Sequence, residues 1–301
     1  MRSHFYRIEY RMQRKKIICV LVLYDPSPEI LQKNIDAIVG QVDLLWISDN
    51  TPGGFDGIKT ITAAYLDKVK YNLMDGNVGI AKAQNAGIQF ALENQYDFVY
   101  FLDQDSISPE SIVDNLLVKF QELVDDGIKV GGVGPQPFNR ETGKEYRASV
   151  KKGHYIKEGI KEVTELINSA SLIKVDLFRS TGMMDESLFI DGVDHELCWR
   201  AHHLEKYRFF MITSLLLSHK LGEGDQHFMG ITVKIPTPFR TYYQFRNYFY
   251  LIRRNYVPIY WKVSNGIKYL GKYFYYPLFC KQKGRYFTSI NRGIVDGIFY
   301  K

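Results

Sequence analysis

The chain has few cysteines, no long apolar run, and almost no acid towards its C-terminal end. Cys19, Cys198 and Cys280 are the only cysteines in 301 residues. An odd, scattered set gives neither a disulfide framework nor a metal-ligand spacing, and it fits a reducing cytosol. No stretch reaches the ~18–20 consecutive apolar residues that a membrane-spanning helix needs. The expectation is therefore a soluble or peripheral protein, placed in the cytoplasm at the inner face of the plasma membrane. Residues 236–301 hold one acid, Asp296, against 12 lysines and arginines, giving this segment +11. The remainder has 27 basic and 32 acidic residues, or −5. A basic segment on an acidic body suggests an anionic surface as its partner. Repeats and low-complexity tracts are absent too.

Apolar residues make up 46% of the chain and charged ones 24%, enough for a substantial core. The expected division is a main domain over 1–235 and a helical, basic and aromatic extension over 236–301. "RMQRKKIICVLVLY" resembles a signal peptide for a moment. Its apolar run is short, lacks a small-residue cleavage site and meets Asp25-Pro26 at once, so it reads as a buried first strand.

Strand-like runs alternate with helix-like ones over the first ~130 residues, predicting an α/β layer with a mainly parallel central sheet. "IICVLVLY", "VDLLWISDN", "KYNLM" and "YDFVYFLD" read as strands. "SPESIVDNLLVKFQELVDDG" reads as a helix with Ser108 as N-cap. "YRFFMITSLLLSHK" reads as a strand pair or one strand and its continuation. Ligands of parallel α/β sheets sit at the carboxyl ends of the strands. Asp25, Asp49-Asn50 and Asp103-Gln104-Asp105 all fall at such ends, which is the first functional clue.

Asp103-x-Asp105 suits a hard divalent cation completed by phosphate oxygens and water, although the triplet alone is common in solvated turns. "NVGIAKAQNAGI", with Asn77, Gly79, Lys82 and Asn85, has the small residues and helix start that let backbone approach a phosphate. It matches neither a P-loop nor G-x-G-x-x-G, and an ordinary capped helix is its plain alternative. "FIDGVDHELCWR" places Asp191, Asp194 and Glu196 ahead of and within a helix start, after what reads as a strand, "SLFI". Any of the three carboxylates could be a mere cap, and one could be a general base. His219 ends an apolar run beside Gly222 and Gly224, as a loop near substrate would.

As an ordered set, "VLVLYDPSPEIL", "ISDNTP", "NVGIAKAQNAGI", "FLDQDS", "LFIDGVDHELCWR" and "SHKLG" resemble family 2 glycosyltransferases, most closely the rhamnosyltransferase-like branch. The resemblance covers roughly residues 16–225. It implies a GT-A-type fold, a nucleotide-sugar donor and inverting transfer by one displacement. It also implies that Asp49 contacts the base, with Asp25 near it or the ribose. Asp103 and Asp105 stand in for the family's Asp-x-Asp, holding Mg²⁺ or Mn²⁺ against the diphosphate, with His219 nearby as a further ligand. Asp194 aligns with the catalytic base. The preceding position, often Glu in the family, is Val193 here, so Asp191 and Glu196 compete for the role. Arg246-Asn247 resembles the Arg-Asn pair of related transferases.

The implied activity is rhamnosyl transfer from dTDP-rhamnose onto a glycan or lipid-linked acceptor in bacterial cell-surface polysaccharide synthesis. The alternatives are a UDP-sugar donor (galactofuranose, galactose or glucose) and a degenerate, non-catalytic binding module. A sugar nucleotidyltransferase needs a Gly-rich basic loop after the first strand, and "DPSPEIL" stands there instead. For the basic, aromatic extension, a membrane surface is favoured over nucleic acid, and packing on the core or in a homodimer is the plain alternative.

Overall fold

The computed structural model describes residues 14–139, 153–219, 225–228 and 231–299. Its first half alternates strand and helix: β1 (Ile17–Leu23), α1 (Pro28–Ile38), β2 (Leu44–Asp49), α2 (Ile58–Thr62), β3 (Val69–Leu73), α3 (Ile80–Glu93), β4 (Phe98–Asp103) and α4 (Ile112–Asp125). The second half holds β5 (Val130–Asn139), β6 (His154–Lys157), β7 (Ile160–Val163), β8 (Ser171–Lys174), α5 (Val175–Thr181), α6 (Val193–Glu205) and β9 (Arg208–His219). A hairpin follows, β10 (Asp225–Phe228) with β11 (Ile231–Lys234), then α7 (Pro238–Leu251), α8 (Ile259–Phe279) and α9 (Lys283–Phe299).

Nine strands form one sheet in the order β3-β2-β1-β4-β8-β5-β9-β7-β6. The four strands on the β3 side are parallel, as the alternation predicts. Beyond β4 the sheet is mixed: β8 runs antiparallel to both β4 and β5, and β5 runs parallel to β9. β9 is one twelve-residue strand whose register against β5 shifts opposite Pro135 and Gln136.

Each face of the sheet is covered, which is why its strands are apolar on both sides. Cys19, Leu21 and Leu23 of β1 pack with Leu31 and Ile35 of α1 and Leu116 of α4. Ile18 and Val20 face the other way, with Ile88 of α3, Leu177 of α5 and Leu197 of α6. The second "Gly" of the Gly-Asn segment serves this packing. A Cβ on Gly87 would lie 2.5 Å from Val20 Cγ2, so only glycine lets α3 approach β1 so closely.

Two local expectations differ from the structure. α4 starts at Ile112 after a left-handed Ser111, φ 58°. Ser108 instead hydrogen-bonds the buried Tyr100 phenol at 2.9 Å, satisfying a group that would otherwise be stranded in the core. "SLFI" is not a strand. A 3-10 turn (Glu186–Leu188), capped by Asp185, is followed by positive φ at Phe189, Asp191 and Gly192, which no strand accommodates.

α7 and α8 pack on the sheet's own core. Leu251 and Trp261 belong to the same buried cluster as Leu197 and Trp199 of α6. A separate cluster, with Phe245, Tyr276, Tyr286 and Ile290, ties α7, α8 and α9 together.

Candidate active site

The sheet brings the acids of three separate sequence segments together. Asp49 pairs in register with Leu23, and Asp103 with Val22, so these two acids flank the end of β1. Two strand spacings put their backbones roughly 10 Å apart. Asp25, exposed and at φ 47°, lies just past the same edge and donates its N–H to Thr51 Oγ1 at 3.0 Å. Gln104 locks the arrangement. Its Oε1 accepts from Tyr24 N–H (2.7 Å) and its Nε2 donates to Tyr24 C=O (3.1 Å), bridging the ends of β1 and β4. Asp103 and Asp105 therefore project from a braced turn, with Asp105 exposed and Asp103 half-buried.

Asp49 is fully buried and accepts three bonds: Thr51 N–H (2.8 Å), Phe55 N–H (2.7 Å) and the Tyr71 hydroxyl (2.8 Å). It shapes the 50–55 loop, with capacity for one further donor. Asn50 beside it donates to Gly79 C=O at 3.2 Å, while its buried Oδ1 has no partner.

The α3 start is closed by protein rather than open to phosphate. Asn77 Oδ1 accepts from Gly79 N–H at 3.2 Å, and Phe189 C=O accepts from Ile80 N–H at 2.8 Å. Gly79 has φ 86°, and a Cβ there would meet the Phe189 ring at 2.5 Å. Asn85 makes all its bonds to the 184–186 segment: its Nδ2 donates to Met184 C=O and Glu186, and its Oδ1 accepts from Met184 N–H. Lys82 is exposed on the first turn. This helix start thus holds the Phe189 turn that leads into Asp191.

The three carboxylates of "FIDGVDHELCWR" have different surroundings. Glu196 is fully buried and bonded to Arg200 (2.8 and 2.9 Å) and the Tyr256 hydroxyl (2.6 Å), with Arg254 at 3.4 Å. Burial and the charge and bond of Glu196 hold the Tyr256 phenol well above its usual range, against the opposing pull of Arg254. Asp191 forms a two-pronged pair with Arg240, Nε at 2.9–3.0 Å and Nη2 at 2.6 Å. That bond to Asp191 raises the Arg240 guanidinium above its ordinary value, against burial, with smaller contributions from Asp103 and Asp194. Asp194, in the first turn of α6 and half-exposed, accepts from His195 N–H at 2.9 Å.

Asn247, missed as a site residue, and Arg246, expected as a substrate contact, also shape this region. Asn247 Nδ2 lies within hydrogen-bond reach of the carbonyls of Leu188 (2.9 Å), Ile190 (2.6 Å) and Asp191 (3.0 Å). Arg246 donates to the Ser187 and Leu188 carbonyls and stacks over Tyr243. The Arg-Asn pair grips the positive-φ turn from the C-terminal side. No sequence periodicity signals such a grip, because its acceptors are backbone carbonyls some 59 residues away. Beside it lies a cavity of about 160 Å³ lined by Asp191, His195, Gln244, Asn247, Trp261 and Tyr269 among others.

Among the described residues, no group of three or more His, Cys, Asp or Glu side chains is placed to hold a metal ion. His219 pairs through its backbone with Asn139. Its side chain, and Gly222 and Gly224, lie outside the described residues. Two carboxylates at one turn remain a fitting set for a hard cation that takes its other ligands from substrate phosphates and water.

The family model for glycosyl transferase family 2 matches residues 19–182. The dTDP-rhamnosyl transferase RfbF of Shigella flexneri is 31% identical over 252 residues, covering 81% of this chain and 82% of its own. Among solved structures, Staphylococcus aureus TarS (residues 1–349) has a TM-score of 0.55 at 13% identity, over 94% of this chain and 81% of its own. GalNAc-T7, solved with UDP, GalNAc and Mn²⁺, has a TM-score of 0.56 at 12% identity, over 89% of this chain and 58% of its own. These two likenesses concern the fold. A sheet whose acids gather at its strand tips, the family match and the RfbF likeness agree: the chain belongs to glycosyl transferase family 2 and is a glycosyltransferase.

Proposed function

We propose that the enzyme moves L-rhamnose from dTDP-rhamnose, with inversion, onto a glycan or lipid-linked acceptor of a bacterial cell-surface polysaccharide, working at the inner face of the plasma membrane. The donor assignment is supported by the likeness to RfbF over most of both chains. The observation that carries the chemistry is the Arg240 guanidinium, which is bonded to Asp191 and also feels the charges of Asp103 and Asp194. In this reading one cation serves both the diphosphate end and the base end of the displacement.

In this reading Asn50 Oδ1, buried and unpartnered, is the acceptor available to a pyrimidine N–H, with Asp49 shaping the loop around it. Asp103 and Asp105 hold Mg²⁺ or Mn²⁺, which supplies charge neutralisation to the leaving diphosphate. Asp194 takes the proton from the acceptor hydroxyl as it attacks the anomeric carbon. It is assigned by its surroundings: Glu196 is enclosed by arginines and tyrosine, and Asp191 is committed to Arg240. The acceptor enters from the cavity beside His195. Residues 236–301 form an extension that completes this side of the site and faces the membrane.

Calorimetry with dTDP-rhamnose, dTDP-glucose, UDP-glucose, UDP-galactose and UDP-galactofuranose, each with Mn²⁺, tests the donor. Tightest binding of dTDP-rhamnose is expected. Preference for a UDP-sugar would move the assignment to that donor, and binding of none would remove the transferase reading.

A further inference from the structure

α8 carries an uninterrupted apolar stripe that none of the described residues covers. Ile259, Val263, Ile267, Leu270, Phe274 and Leu278 recur at intervals of four, four, three, four and four residues. That spacing keeps all six on one helical face. Each is between 57% and 77% exposed, whereas Trp261 and Tyr276, on the opposite side, are buried against the protein. At 1.5 Å per residue the helix, and so the stripe, extends about 30 Å. An apolar patch of that length on a folded protein marks an interaction surface.

The charge around the stripe selects the partner. Residues 236–301 carry 12 lysines and arginines and one acid, while the rest of the chain is net negative. Several of the cations are consumed internally: Arg240 by Asp191, Arg254 by Asp185, Arg292 by Asp296. Lys268 beside the stripe, and Lys281, Lys283 and Arg285 at its far end, are exposed and form no ion pair among the described residues. Tyr260, Tyr273 and Tyr275 border it, as aromatic residues do at a headgroup boundary. A second copy docked stripe to stripe would set two +11 segments against each other. An anionic bilayer meets the same surface with opposite charge and an apolar interior.

We infer that the outward face of α8 is a lipid-docking surface. The helix lies in the headgroup plane, its six apolar side chains enter the acyl boundary, and the exposed cations contact anionic headgroups. No helix among the described residues is long and apolar enough to cross a membrane, so the attachment is peripheral. The inference rests on the proposed membrane-face transferase for its purpose, since it would hold the active site over a lipid-linked acceptor.

The test is co-sedimentation of the whole protein with vesicles of phosphatidylcholine mixed with phosphatidylglycerol, against pure phosphatidylcholine, alongside light scattering for oligomeric state. Strong binding to the mixed vesicles by a monomer is expected, with weak binding to the neutral ones. Ile267→Glu with Leu270→Glu should weaken vesicle binding about tenfold or more, and Lys281→Glu with Lys283→Glu should weaken it while leaving the stripe intact. Both pairs are surface changes, so thermal melting and dTDP-rhamnose binding by calorimetry should match the parent. Vesicle binding unchanged in the stripe variant would overturn the inference. So would a dimer that those substitutions dissociate, which would make the face an interface between copies. If only nucleotide-sugar binding fails while vesicle binding behaves as expected, the transferase reading falls and the docking surface stands.

Discussion

Asp191 and Arg240 face each other across the junction of the α6 start and α7, joined by Nε contacts of 2.9–3.0 Å and an Nη2 contact of 2.6 Å. Three residues on, Asp194 accepts from the backbone N–H of His195 in its own helix, at 2.9 Å. The pair fixes one carboxylate as structure and supplies a cation whose charge both Asp194 and Asp103 feel. Asp194→Asn should therefore lower kcat by about a hundredfold or more, with the dTDP-rhamnose Kd nearly unchanged. Glu196→Ala should act differently, because it strands Arg200 and Arg254 around a hole. A loss of about 3–5 kcal/mol of stability is expected from breaking such a buried set. Urea unfolding separates the two variants. An Asp194→Asn enzyme of normal stability and normal turnover would return the base role to its neighbours.

Asn247 holds the turn that carries both Phe189 and Asp191, through the carbonyls of Leu188, Ile190 and Asp191. Replacing it with Leu leaves buried carbonyls unsatisfied, at a cost of about 1–3 kcal/mol. The turn has positive φ at three positions and needs that restraint. Turnover should fall by about tenfold or more even at temperatures where the variant is folded. Donor affinity should fall far less, because the strand-tip acids do not depend on this turn. Equal losses in kcat and donor affinity would show that Asn247 supports the whole cleft instead.

The parallel half of the sheet was legible because β1, β2 and β4 are short apolar runs ending in an acid or a turn. Asp103 and Asp194 were legible as motif positions. The functions of Asn85, Gly79, Arg246 and Glu196 were not, because each is defined by a partner in another segment. Asn85 reads as a polar residue near a helix start, yet it bonds the backbone of Met184, 99 positions away. Glu196 reads as a carboxylate in a helix's first turn, yet Tyr256 and Arg254 come from beyond α7 to enclose it. The mixed half of the sheet was illegible for a related reason. β8 is four residues long, and its antiparallel direction follows from the route of the chain rather than from its own composition.

Tyr71 donates its hydroxyl to Asp49 at 2.8 Å from the edge strand β3. Burial, and then the bond to Asp49, push its phenol up to about 12 from an ordinary value of 10.0. The folded-state value is the higher one, so folding favours the protonated form. This contribution is complete below pH 10.0 and disappears as pH rises through about 12. Tyr71→Phe removes the donor at every pH. The stability gap between the parent and this variant should be constant at neutral pH, shrink above pH 10.0 and close beyond about 12. Denaturant unfolding across that range checks it, and a gap that widens at high pH would contradict the assignment. Because Asp49 shapes the 50–55 loop, the variant should also bind dTDP-rhamnose more weakly at neutral pH.

Asp103 and Asp105 differ in their structural duties, which makes the metal assignment separable from folding. Asp103 C=O accepts from Asn34 Nδ2 at 2.8 Å and from Ser106 N–H at 3.1 Å, bonds that a side-chain change leaves in place. Asp105 is exposed at the turn, and the Gln104 clamp braces the backbone on which both stand. Asp105→Asn should therefore fold with parental stability, and denaturant unfolding of Asp103→Asn fixes the conditions under which that variant is compared while folded. In the parent, chelation with EDTA should weaken dTDP-rhamnose binding by about tenfold or more, and Mn²⁺ should restore it, each factor of ten being about 1.4 kcal/mol. In either variant the difference between chelated and Mn²⁺-supplemented protein should largely vanish, because a divalent cation held mainly by two carboxylates and the diphosphate loses half its protein ligands. Asp25→Asn is the control, since Asp25 is assigned to the nucleoside end and should retain the full response to Mn²⁺. Parental metal dependence in both Asp103→Asn and Asp105→Asn would move the cation away from this turn and leave the pair as contacts to the donor alone.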